Sequence, residues 1–507
     1  MSGGLCQTLR ARFPRDLAST FIETPQGQRF SYRDLLAESG RMANALAAAG
    51  ARPGDRVMVQ AAKSPQVVFL YLACVRAGLV YLPLNSGYRR DEVDYFVADA
   101  EPRVVVCAPD SPLVEAAATY PGCRLFTLDE SGGGSFADAW AGLADAWHDV
   151  DRDADDVAAI LYTSGTTGRP KGAMLTQENL ASNALALHRA WGFGPPDTLL
   201  HALPIFHTHG LFVAINCTLL NGTGMLFLPR FDADEVIRLL PRTTVMMGVP
   251  TFYVRLLASP AFTREACRTM RLFIAGSAPL LPETFAAFHQ RTGHTILERY
   301  GMTETSMITS NPLDGERVAG SVGFPLPAVE LRIADAEGGA VPPGETGGIE
   351  VRGPNVFKGY WRNPAKTREE FHPDGFFRTG DLGRIDARGY VHIVGRSKDL
   401  IISGGLNVYP KEVETVIDGI AGVAESAVIG VPHPDFGEAV VAVVVAKPGA
   451  SPLTPAAVLA ATKEHLAAFK NPKSVFIAAD LPRNAMGKVE KAKLRERYKD
   501  LFNNSSP

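Results

Sequence analysis

The chain has 507 residues, 46% of them apolar and 21% charged, a size that predicts at least two domains and a composition that excludes a disordered chain. Its formal net charge of −3 offers no electrostatic basis for holding nucleic acid or an anionic membrane. No apolar run approaches the ~18 residues that a bilayer crossing needs.

The first twenty residues lack the apolar stretch of a secretory signal, so the cytoplasm is the expected compartment. FSYRDLLAESGRMANALAAAGA (30–51) has the spacing of an amphipathic helix. DRVMVQAA reads as a strand, VVFLYLACVRAG as an apolar helix and LVYLPL as a strand. A polar helix follows, and then the strand PRVVVCA. Strands and helices alternating at this spacing predict a mainly parallel sheet covered by helices. The pattern returns from TVMMGVP through RLFIAGS to HTILERYG (244–301).

From about residue 320 short strands are divided by Gly and Pro, which predicts a small β-subdomain. GFFRTGDLGRIDARGYVHIVG (375–395) reads as a hairpin that leads into a connector. Beyond it KEVETVIDGI is helical, ESAVIGVPHPDFGEAVVAVVV is two strands and LTPAAVLAATKEHLAAF is a helix. The predicted architecture is α/β. A large N-terminal domain, residues 1–396, holds mixed, mainly parallel, helix-covered sheets and the β-subdomain. A compact α+β C-terminal domain follows, residues 397–507. Cys6, Cys74, Cys107, Cys123, Cys217 and Cys267 show no metal-ligand spacing and are expected to be buried free thiols.

The motif with the most chemistry is LYTSGTTGRPKGAML (161–175), which follows the apolar strand DVAAILYT and precedes a polar-capped helix. Thr163, Ser164, Thr166 and Thr167 supply hydroxyls. Gly165, Gly168 and Gly172 let backbone N–H groups approach an anion, and Lys171 adds charge. Such a loop can cradle a triphosphate, although it is not a Walker A loop. Four more motifs follow in order: RYGMTET (299–305), FRTGDLG (377–383), GRSKDLIISGGLNVYPKEVE (395–414) and PRNAMGKVEK (482–491).

Taken together, these motifs resemble the adenylate-forming superfamily of acyl-CoA synthetases, luciferases and peptide-synthetase adenylation domains, over essentially the whole chain. The resemblance implies ATP, Mg2+ and coenzyme A, and an acid–thiol ligase that works through an acyl-adenylate. Lys488 is then the adenylation lysine, Glu304 the magnesium ligand with Thr167, and Thr303 an α-phosphate donor. Thr163 to Gly168 and Lys171 hold the phosphates. Gly276, Ser277, Ala278, Glu298, Arg299, Tyr300, Gly301 and Met302 frame the adenine side. Asp381 binds the ribose hydroxyls, with Arg396 beside it. The C-terminal domain is expected to be mobile, with Lys398 at the hinge and Ser403, Gly404 and Gly405 on the face that meets coenzyme A. A mobile Lys488 is also an expected target of a lysine acetyltransferase and deacetylase, since acetylation would remove its charge.

The acid is read from HALPIFHTHG (201–210) and VPTFYVRLL (249–257). His207 and His209 stand near the expected acyl pocket. An arginine aimed at it, Arg255, makes physical sense when the acid carries a second anionic group. These stretches, with IAGSAPLL and LERYGMTET, are similar to those of malonyl-CoA synthetases. The resemblance therefore implies malonate, or methylmalonate, with Arg255 on the distal carboxylate helped by Ser277, His207 and Met302. The alternatives are a short-chain, medium-chain or aryl acyl-CoA ligase and an enzyme that loads a separate carrier protein. Asp232, which superficially suits an amine-binding role, is better read as a helix N-cap with Glu235 as its capping-box partner.

Overall fold

The computed structural model describes residues 4–163, 170–403, 406–450, 452–484 and 487–502. The chain divides into two compact units. One comprises residues 1–331 and 351–377, and the other residues 332–350 and 378–507. The expected boundary is a single break at 396/397, whereas this packing division falls at 377/378 and assigns residues 332–350 to the second unit as well.

Unit 1 is built on two large sheets. Seven strands run in the order Gly359–Tyr360, Lys171–Thr176, Val157–Thr163, Val80–Pro83, Arg56–Gln60, Val104–Cys107, Arg124–Thr127. From Val157–Thr163 onward the neighbours are parallel; the two strands at the other edge are antiparallel. Nine strands form the second sheet, whose parallel centre is Leu297–Met302, Leu272–Ala275, Val245–Gly248, Thr198–His201, Gly224–Phe227 and Thr20–Glu23. The expected parallel, helix-covered architecture is present, split over two sheets.

Local chemistry explains where the helices start. Ser31 caps Tyr32–Ala48, and Asp34 returns the bond to the Ser31 N–H at 2.7 Å. Thr176 and Asn179 do the same for Gln177–Ala190. Asp232 accepts from the Glu235 N–H at 3.0 Å, as an N-cap should. The Glu235 carboxylate, however, is turned to Arg238, which takes the place of the expected capping-box return. Five of the six cysteines are buried and free, and Cys123 is partly buried. Among the described residues no helix is long and apolar enough to cross a membrane.

In unit 2 the hairpin Phe377–Ile385 / Val391–Arg396 pairs Asp381 with Arg396 and Ile385 with Val391. The C-terminal sheet contains Leu406–Val408, Ile401–Ser403, Gly437–Ala446, Val423–His433 and Ser474–Ala478. The helices Pro410–Asp418 and Pro455–His465 pack on it through Val413, Ile417 and Val458, against Val428, Val440 and Val444.

Candidate active site

The sheet edge gathers motifs that are far apart in sequence. Met247 is level with His201, Gly248 with Ala275, and Ala275 with Glu298, all in parallel strands. HALPIFHTHG, GVPTFYVRLL, IAGSAPLL and LERYGMTET therefore all leave the sheet at the carboxyl ends of its strands, where open α/β sheets bind ligands.

The phosphate-loop motif is not a strand-to-helix turn. Thr163 and Lys171 are ladder partners in an antiparallel hairpin, and the capped helix begins only after the second strand. Ser164, Gly165, Thr166, Thr167 and Gly168 lie outside the described residues. At the hairpin mouth Thr163 Oγ1 donates to Glu304 Oε1 at 3.3 Å, and the Tyr360 hydroxyl donates to the same oxygen at 3.0 Å. Lys171 Nζ lies 4.4 Å from the Tyr360 ring centroid and 3.9 Å from Glu370. Among the described residues no cluster of three His, Cys, Asp or Glu could hold a metal. One buried carboxylate, Glu304, bonded to Thr163 at the start of the Ser/Thr/Gly-rich motif, does suit magnesium, which keeps waters and phosphate oxygens for most of its shell.

Tyr300, Gly301, Met302 and Thr303 are half-buried and continue from the buried Glu298 and Arg299. Glu298 Oε1 accepts from the Leu280 N–H at 3.2 Å. Ser277 has φ +71, a left-handed conformation that non-glycine residues adopt only where surrounding structure compels it. Its Oγ lies 3.3 Å from His209 Nδ1, and the His209 N–H donates to His207 Nδ1 at 3.3 Å. Ala278 follows in the same turn.

His209 opens a π-helix, His209–Ile215, a form that recurs at functional sites. A buried network holds its start. Lys63 Nζ donates to His201 Nδ1 at 2.8 Å and to the His201 carbonyl at 2.9 Å. His201 Nε2 then carries the proton and donates to the Gly210 carbonyl at 2.8 Å. Burial pushes the Lys63 pKa well down. His201 is also well below its ordinary value, through burial and then the Lys63 charge.

Two arginines of the expected site differ sharply in exposure. Arg255, expected to face the acid, is exposed on the helix Pro250–Ala258, which turns Tyr253 and Leu256 to the core. Arg299, expected on the adenine side, is 2% exposed, and its Nε and Nη2 have no hydrogen-bond partner among the described residues. Burial lowers its pKa to about 9. Arg299 is close enough to His209 to help burial hold that imidazole neutral. Gly276 makes room for it, since a Cβ there would lie 2.5 Å from the guanidinium carbon. Lys63 and Arg299 are the residues whose place the sequence does not reveal. The signal for Arg299 is a charge inside the apolar-flanked segment HTILERYG; Lys63 has none.

Unit 2 assembles its own cluster. Arg396 Nε lies 2.7 Å from Asp381 Oδ1, and the Asp381 N–H donates to Thr379 Oγ1 at 3.1 Å. Lys398 follows in the short turn Ser397–Asp399. Lys488 is an exposed residue, held through its N–H to Asn484 Oδ1 at 3.0 Å. Desolvation around its ammonium, and then the like charge of Arg396, bring its pKa down to about 8, with Asp381 opposing. Asp381, Arg396, Lys398 and Lys488 are thus neighbours. Ser403 is buried, and Gly404 and Gly405 lie outside the described residues.

A hairpin that carries the Ser/Thr/Gly-rich motif, a carboxylate at its mouth and motif-bearing strand ends suit an adenylate-forming enzyme. The family description "AMP-binding enzyme" matches residues 7–361, and "AMP-binding enzyme C-terminal domain" matches residues 412–488. The chain belongs to the AMP-binding enzyme family and is an AMP-forming acid–thiol ligase. It is similar to ATP-bound MatB from Rhodopseudomonas palustris, at 56% identity and a TM-score of 0.96, covering 99% of this chain and 100% of that one. Among curated relatives, a feruloyl-CoA synthase from Amycolatopsis sp is 37% identical, covering 93% of this chain and 94% of that one. A malonate–CoA ligase from Arabidopsis thaliana is 35% identical, covering 88% and 78%.

Proposed function

We propose that the enzyme ligates malonate to coenzyme A, with methylmalonate as a slower substrate. The observation that supports malonate is Arg299, a buried guanidinium whose Nε and Nη2 find no partner among the described residues, beside Ser277 and His209. Such a charge is costly to keep unless something pairs with it. The distal carboxylate of a short dicarboxylate supplies that partner. The plant malonate–CoA ligase among the relatives supports the same acid.

In the first half-reaction a carboxylate oxygen of malonate attacks the α-phosphorus of ATP, and the bond to pyrophosphate breaks. The Thr163–Lys171 loop holds the phosphates, Thr303 donates to the α-phosphate, and Lys488 offsets the charge that builds. Glu304 and Thr167 would hold magnesium, which when bound would supply positive charge to the pyrophosphate oxygens. Asp381, aimed by Arg396, takes the ribose hydroxyls. In the second half-reaction the sulfur of coenzyme A, its proton lost to solvent, attacks the acyl carbonyl and the bond to AMP breaks. Lys398 serves as the pivot between the two, and the segment around Ser403 receives the thiol arm.

The test is ATP–pyrophosphate exchange with malonate, methylmalonate, acetate and benzoate, on wild type, Arg299→Leu and Arg255→Leu. Malonate gives the highest kcat/KM. Loss of a buried ion-pair partner costs ~3–5 kcal/mol, so Arg299→Leu lowers malonate kcat/KM by at least ~100-fold and acetate exchange far less. The exposed Arg255→Leu has the smaller effect. Full malonate turnover in Arg299→Leu would falsify the dicarboxylate reading. The added methyl of methylmalonate costs ~1–3 kcal/mol where the pocket is tight.

A further inference from the structure

Tyr360 lies outside every motif read from the sequence, yet it touches two of them. It ends the strand Gly359–Tyr360, which pairs antiparallel with Lys171–Thr176 through Tyr360↔Ala173 and Gly359↔Met174. The Trp361 N–H donates to the Gly172 carbonyl at 2.7 Å, and the Tyr360 N–H to Thr367 Oγ1 at 2.9 Å. The Tyr360 ring meets Phe357 edge-on at 4.9 Å, and the residue is 4% exposed. From this fixed seat its hydroxyl donates to Glu304 Oε1 at 3.0 Å, while its ring face carries Lys171 Nζ at 4.4 Å.

Tyr32 and Tyr253, buried as well, bond differently. Tyr32 donates to the Thr223 carbonyl at 2.7 Å, and Tyr253 to the Ile274 carbonyl at 2.6 Å. These are anchors between packed elements. The Tyr360 hydroxyl is committed to an acid in RYGMTET, and its ring to the cation of the phosphate-loop motif. We propose that Tyr360 is a positioning residue that ties the metal-binding carboxylate to the phosphate-loop lysine, so that divalent cation and triphosphate are taken up together. A charge-assisted O–H donor on Oε1 fixes the plane of the carboxylate and leaves its remaining lone pairs aimed one way. The ring steadies the Lys171 ammonium by cation–π attraction, beside the longer contact with Glu370. The inference rests on Glu304 as the metal ligand.

The test does not need turnover. Mn2+ binding is followed by loss of the free-ion electron paramagnetic resonance signal, with a non-hydrolysable ATP analogue present. Affinity for the metal-free analogue is measured by calorimetry. Tyr360→Phe keeps the ring and the backbone bonds, and is expected to weaken Mn2+ binding ~10-fold, the usual cost of losing an outer partner of a metal ligand. Its metal-free nucleotide affinity stays at the wild-type level. Tyr360→Leu weakens both, because Lys171 loses its platform. Glu304→Gln is the reference. If Glu304→Gln weakens Mn2+ binding and Tyr360→Phe does not, the role given to Tyr360 is overturned while Glu304 stands. If Glu304→Gln has no effect, the ligand assignment falls and the proposal with it. Unchanged metal-free affinity in Tyr360→Leu overturns the Lys171 half.

Discussion

Lys488 titrates where enzymes are assayed. With a pKa of about 8, its ammonium is lost as the pH rises through that value, whereas an ordinary lysine keeps its charge to about 10.4. Adenylation, measured as pyrophosphate release, should fall on this alkaline limb. Thioester formation from supplied malonyl-adenylate should lack the limb. Lys488→Ala should abolish the first reaction and largely spare the second. The same lowered pKa leaves more neutral amine for an acetyltransferase near neutral pH. Gly276 gives another single-residue prediction. Gly276→Ala pushes a methyl into the Arg299 guanidinium, so KM for malonate should rise while that for ATP changes little. Lys488 can be found by reading the chain because it sits in a motif. Arg299 sits in a motif as well, but its burial follows from the packing of Gly276 and His209 against it. Lys63 acquires meaning only beside His201, whose distance in the chain exceeds any local pattern.

Elements whose start signals are local are legible in the amino-acid sequence. Ser31 with Asp34 and an apolar stripe are enough to mark Tyr32–Ala48. The βαβ rhythm likewise predicts a parallel sheet. The chain does not reveal the order of strands within the two sheets, because strand order is set by packing across hundreds of residues. The phosphate-loop motif reads as strand, loop and helix rather than as a hairpin, since the strand Lys171–Thr176 is short and its partner lies across the loop. The π-helix is invisible for a different reason: HGLFVAI is apolar in any helical form. At its start Gly210 lies so close to the Pro204 carbonyl oxygen that a Cβ there would come within 2.1 Å. Gly210→Ala should therefore lower the thermal midpoint by at least ~1 °C, the shift expected for ~1 kcal/mol in a unit of this size. It should also weaken malonate binding through displaced His209.

At the scale of the whole molecule, acid sensitivity is concentrated in unit 1. Burial lowers the pKa of His188, His201, His209 and His294, all of which lie in that unit. Above the ordinary value of 6.5 these rings are neutral whether the chain is folded or not. Below it the unfolded chain takes up protons that the folded unit refuses, so stability falls with pH. Scanning calorimetry from pH 7.5 down to about 5.5 should show the unit 1 transition moving to lower temperature.

All six cysteines also lie in unit 1, and unit 2 has none. Burial raises every one of these thiols, Cys123 to about 11 and Cys6, Cys107 and Cys267 to about 12. A thiol reagent attacks the thiolate, so the folded unit presents it with almost nothing. Labelling therefore becomes a clock for the opening of unit 1 alone. Cys123 labels first, the other five appear together as the two sheets part, and the C-terminal unit can unfold and refold without moving the hands.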